Sequence, residues 1–117
     1  MMLQGQFENI EMRKRLIEKS YEEISASKKA IEDMGNAKEG CDVLFQIGGS
    51  NFAYGKLANT GKVIVSLGSD VLAEKTVEEA GKIMDERLSM LEKAMQTVDN
   101  EARKLLESAG NLSGERV

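Results

Sequence analysis

Apolar residues fall every seven positions in two long stretches of this chain, and that spacing restricts the fold more than any other feature. In the first stretch Leu3, Ile10, Ile17, Ile24 and Ile31 repeat at seven without a slip. In the second, Val77, Met84, Leu91, Val98 and Leu105 do the same. Residues seven apart lie two turns apart on one stripe, and a stripe sustained over five repeats commits a helix to a coiled-coil seam. With the aliphatic series taken as d, the positions four further on are Phe7, Lys14, Tyr21, Lys28 and Gly35 in the first stretch. In the second they are Gly81, Leu88, Met95, Ala102 and Ala109. The 117 residues contain no Pro, so nothing breaks either pattern.

End signals bound the two helices. Gly35-Asn36 reads as a left-handed helix stop, and Gly110-Asn111 reads as another. Thr76-Val77-Glu78-Glu79 has the capping-box form, in which the Thr hydroxyl and the Glu carboxylate satisfy free amides at a helix start. The predicted order is helix over 1–35, an insert over 36–75, helix over 76–111 and a tail over 112–117. Antiparallel pairing aligns all five layers at once: Ile31 with Val77, Ile24 with Met84, Ile17 with Leu91, Ile10 with Val98 and Leu3 with Leu105.

The insert contains an internal repeat. Val43-Leu44-Phe45-Gln46-Ile47-Gly48 recurs twenty residues later as Val63-Ile64-Val65-Ser66-Leu67-Gly68. Each run ends in Gly and a polar turn, then returns over Phe52–Leu57 or Val71–Lys75, which predicts two β-hairpins. Alternation puts Val43, Phe45 and Ile47 on one face and Val63, Val65 and Leu67 on another. The predicted fold class is mainly α with a small β segment, a single domain over 1–117. It is an antiparallel two-helix coiled coil joined by two β-hairpins. Isolated hairpins expose sheet edges and an apolar face, so the hairpins are expected to assemble with other subunits. The residues expected to carry that assembly are Val43, Phe45, Ile47, Phe52, Tyr54, Val63, Val65 and Leu67.

Few groups here suit chemistry. There is no His, so no imidazole base or imidazole-bound metal, and the single Cys41 has no basic neighbour to activate it. Gly49-Ser50-Asn51-Phe52-Ala53-Tyr54-Gly55-Lys56 resembles a phosphate loop only superficially. Five residues separate its glycines instead of four, Leu57 follows the Lys, and no helix follows. Adjacent carboxylates such as Glu22-Glu23 and Glu78-Glu79 point in different directions on a helix and read as a solvated face. No enzyme activity, metal or cofactor is expected. A formal charge of −4 offers no footprint for nucleic acid or an anionic membrane. The first fifteen residues lack the apolar core of a signal peptide, and a cytoplasmic location is expected.

Antiparallel pairing also brings the chain ends together. Met1, Met2, Leu3 and Phe7 are then expected beside Leu105, Leu106 and Leu112, an apolar cluster of the kind that proteins avoid exposing unless it is used.

Helix, two hairpins and helix, with VLFQIGGSNFAYGKL followed by KVIVSLGSDVLAEKTVEEA, resembles the alpha-class subunit of prefoldin. The resemblance spans nearly the whole chain and is strongest from Val43 to about Leu91. It implies an ATP-independent chaperone subunit that joins beta-class subunits in an alpha2–beta4 hexamer. It implies further that coiled-coil tips hold non-native proteins and pass them to a group II chaperonin. On that basis Met1, Met2, Leu3, Phe7, Leu105, Leu106 and Leu112 become the expected client-binding residues. The alternative is a self-assembling alpha-like protein with a structural or adaptor role.

Overall fold

In the computed structural model the backbone is described over residues 2–115 and the side chains over 4–110. The elements run α1 (Met2–Gly35), β1 (Asp42–Gly48), β2 (Asn51–Lys56), β3 (Lys62–Gly68), β4 (Val71–Thr76) and α2 (Val77–Glu115). The fold class expected from the repeats is therefore present: two long helices and two short antiparallel hairpins. Residues 26–85 form one compact unit, and the segments up to Ser25 and from Glu86 form another.

The helix starts and stops follow distinct physics. At the head of α2 the Thr76 hydroxyl accepts from the Glu79 amide at 3.1 Å, and the Glu79 carboxylate accepts from the Thr76 amide at 3.5 Å. The expected capping box is formed. Helix α1 ends at Gly35 as expected, but not through a left-handed residue, since Gly35 has no positive φ. The Asn36 amide instead divides between the carbonyls of Glu32 and Asp33, and the Ala37 amide bonds Met34, a tightened last turn. Gly35 is required for a different reason. A Cβ there would lie 2.9 Å from Val77 Cγ1, so the α1 end and the α2 start approach as only glycine permits.

The second expected stop is corrected. Helix α2 continues through Gly110 and Asn111 to Glu115, absorbing most of the predicted tail. Gly110 keeps helical backbone, and glycine lowers helix propensity without breaking the hydrogen-bond ladder.

The hairpins are copies of one another. In the first, Asp42 pairs with Lys56, Val43 with Gly55, Leu44 with Tyr54, Phe45 with Ala53 and Gln46 with Phe52. Adding twenty to each number gives the pairs of the second, Lys62 with Thr76 through Ser66 with Leu72. Both carry an irregularity before the turn, between Gln46 and Gly48 and between Ser66 and Gly68. Ile47 and Leu67 thus sit in bulges, where strict alternation stops. In the second turn Ser69 and Asp70 both have positive φ (50° and 62°), the primed-turn geometry whose twist suits a two-residue hairpin. Each hairpin is a separate two-stranded sheet.

Among the described residues the buried apolar side chains are Ile10, Val65, Ala80, Met84 and Val98. Ile10, Met84 and Val98 are d positions, so the seam read from the sequence is where side chains are covered.

Candidate functional site

The outer surface of the hairpins is the first candidate. Strand partners directly opposite share a sheet face, so Leu44, Tyr54 and Phe52 face the same way, as do Ile64 and Leu72. Tyr54 is 91% exposed, and Leu44, Phe52, Ile64 and Leu72 are each more than half exposed. Of the exposed large apolar side chains among the described residues, nine belong to the hairpins and five to the helices. The apolar surface that needs a cover is thus mainly in the β segment. Every strand is also an edge, because each sheet has only two strands.

The residues expected to carry assembly separate into three kinds. Phe45, Ile47, Phe52, Tyr54 and Leu67 are exposed. Val43 and Val63 are half-buried, and Val65 is only 4% exposed, so the chain itself already covers it. The quasi-equivalent Phe45 stays 47% exposed with its ring laid over Gly55 across the strand pair. A Cβ at Gly55 would fall 2.7 Å from Phe45 Cδ2, so close packing explains this glycine. Leu44, Ile64, Val71 and Leu72 were not among the expected assembly residues, yet all are exposed. Their signal was available, since strands that are apolar at successive positions present apolar side chains on both faces.

The helix pair carries a second organised feature, a ladder of polar rungs. Lys14 Nζ lies 3.0 Å from Asp99 Oδ1, the Tyr21 hydroxyl donates to Glu92 Oε1 at 3.2 Å, and Lys28 Nζ lies 2.6 Å from Asp85 Oδ1. Each rung steps seven residues along both helices in opposite directions. These three positions are the polar companions of the seam in α1, and their partners directly follow d positions in α2. Exposed pairs of this kind add little stability singly but disfavour other registers. Continuing the ladder outward by seven sets Phe7 opposite Leu106, so an apolar pair stands where the next ionic rung would fall. Phe7 is half-buried and Leu106 is 60% exposed.

On the neighbouring side of the same unit, the Arg13 guanidinium donates to the Glu101 carboxylate. That bond holds the Glu101 carboxyl below its ordinary range and raises Arg13 further. A groove opens beside this pair, lined by Gly5, Gln6, Asn9, Ile10, Lys104, Leu105 and Ser108 as well. Of the expected client-binding residues, Phe7, Leu105 and Leu106 lie in this unit. Met1 and the side chains of Met2, Leu3 and Leu112 lie outside the described residues.

A family model described as "Prefoldin subunit" matches residues 3–114. The chain is 29% identical to "Prefoldin subunit alpha" of Methanococcus vannielii over 120 aligned positions, covering 97% of this chain and 82% of that protein. It is 30% identical to the protein of the same name from Methanothrix thermoacetophila, covering 82% of this chain but 63% of that one, less than two thirds of its length. In structure it is similar to filamentous PFD from Methanocaldococcus jannaschii, solved by cryo-EM. The TM-score is 0.86 at 21% identity, covering 97% of this chain and 94% of that one.

Proposed function

This chain belongs to the prefoldin family, and from that premise we propose that it serves as an ATP-independent holdase subunit. In this reading it assembles through its hairpins, grips non-native proteins at the free ends of its helix pair, and passes them to a group II chaperonin in the cytoplasm. No catalytic step, cofactor or metal is involved. The observation that carries the reading is the pair of two-stranded sheets with apolar side chains on their outer faces. Such sheets are marginal alone and become stable when other subunits cover their faces and edges. Beta-class prefoldin subunits are the partners in this reading, in an alpha2–beta4 hexamer.

The replacement of an ionic rung by Phe7 and Leu106 supports client binding, because Leu106 is 60% exposed and apolar surface of this kind is available to a non-native chain. One such end binds weakly, and several on a common platform bind through avidity.

A second reading, self-assembly with a structural or adaptor role, is favoured by the likeness to filamentous PFD.

Native mass spectrometry of the purified chain, with and without an archaeal beta-class subunit, separates the two. The hexamer reading requires a discrete mixed species, and the filament reading requires long homomers that added beta subunit does not dissolve. Suppression of the aggregation of a denatured client, equal with and without ATP and magnesium, tests the holdase activity itself. A strict ATP requirement overturns it.

A further inference from the structure

We propose that the groove floored by Ile10 and Leu105 is a binding site for an extended apolar segment of a non-native protein that carries a carboxylate. The proposal rests on the holdase reading above and specifies which segments are held. The groove has a volume of about 810 Å³ and lies within the unit that contains Phe7 and Leu106.

Three observations converge on it. Gly5 sits on the groove inside α1 with ordinary helical backbone, and a Cβ there would meet nothing within 4 Å. Glycine is the weakest helix former after proline, and neither a turn nor packing against the described residues requires it here. Its absent side chain leaves room for another backbone to approach the helix.

The second observation is charge. Arg13 and Lys104 line the groove against the single acid Glu101, a net positive site on a chain of net charge −4. Glu101 is already engaged by Arg13. The third is an unmet donor: Arg13 Nε is enclosed and has no acceptor among the described residues. Enclosed donors nearly always find a partner, and a small rotation of the guanidinium would offer this one to an incoming carboxylate or main-chain carbonyl. Apolar floor, open backbone and surplus cationic donors together fit an extended segment with a Glu or Asp beside its apolar residues.

The test uses the full-length assembly and two labelled peptides of identical apolar sequence, one flanked by Glu and the other by Lys, in fluorescence anisotropy. The Glu peptide is expected to bind about three- to tenfold more tightly at low salt, with the preference shrinking towards unity at about 0.5 M salt. Lys104→Gln alone should reduce the preference, and Arg13→Gln with Lys104→Gln should erase it. Gly5→Gln should weaken binding of both peptides while raising the melting temperature, a combination that damage to the fold does not produce. Equal binding of the two peptides, preference for the Lys peptide, no binding of either, or unchanged affinity in Gly5→Gln each overturns the proposal. Aggregation suppression by the unmodified assembly is measured alongside. If suppression is present while the peptides fail, this site assignment falls and the holdase reading stands; if suppression is absent, the holdase reading falls as well.

Discussion

Extending the polar ladder by one rung should separate client binding from the stability of the helix pair. The perturbation is Phe7→Lys with Leu106→Asp, which repeats one heptad further along both helices the chemistry of Lys14 and Asp99. Leu106 is 60% exposed in the chain, so covering it with a client removes somewhat more than half of its surface from water. Full burial of such a side chain is worth about 1.5–3 kcal/mol, which makes the contribution of Leu106 about 1–2 kcal/mol and that of half-buried Phe7 about 1 kcal/mol. Each helix end therefore loses about 2–3 kcal/mol of client affinity, or roughly 30- to 150-fold, and avidity across several ends compounds the loss. The cost to the fold is much smaller. An exposed ion pair returns about 0.2–1 kcal/mol, against the partial burial that Phe7 and Leu106 give up. The assay compares aggregation suppression of a denatured client with oligomer mass and thermal unfolding at fixed subunit concentration. Suppression should fall to near background while mass stays unchanged and the melting temperature moves by only a few degrees. Retention of full suppression by the double variant would refute the argument that these two positions hold clients.

Two helical glycines should respond to Ala in opposite ways when denaturant unfolding is followed by circular dichroism. Gly81→Ala meets nothing within 4 Å and should stabilise by about 1 kcal/mol, whereas Gly35→Ala drives a methyl into β-branched Val77 and should destabilise by about 1–2 kcal/mol. If Gly81→Ala is the more harmful, that position faces a partner subunit. Gly55→Ala should evict the Phe45 ring from its place across the strands and lower the assembled fraction in light scattering; unchanged mass would show that Phe45 does not contribute to the interface. The Glu101 carboxyl is held below its ordinary value of 4.5 by Arg13, so its contribution to stability is present above that pH and lost as pH falls through the lowered value. Glu101→Gln should therefore flatten the acid limb of a stability–pH profile, and an acid limb identical to that of the parent would show that the pair contributes nothing.

Much of this architecture is a matter of period, and period is local. The seven-residue repeats fix which stripe of each helix is apolar, and Ile10, Met84 and Val98 are buried where that stripe requires. The twenty-residue repeat in the insert reappears as two hairpins with the same strand register. The Thr76–Glu79 cap closes as its spacing dictates, because all of its groups lie within one turn.

Tertiary structure decided what depends on a neighbour distant in the chain. Gly35 reads as a helix stop in sequence, yet its role is to admit Val77 from the other helix. Gly110 reads the same way, and there the helix simply continues, because glycine permits a left-handed turn without compelling one. Val65 and Phe45 occupy equivalent places in the repeat, but one is covered and the other open, since burial depends on what lies above a sheet. The companion lysines of α1 carry no assigned partner in the heptad pattern, and the packed helices set Asp99 and Asp85 opposite them. Their carboxylates also recur every seven residues, so that signal was present. Pairing it with the lysines required the rotation of one helix about the other, which only the packed pair determines.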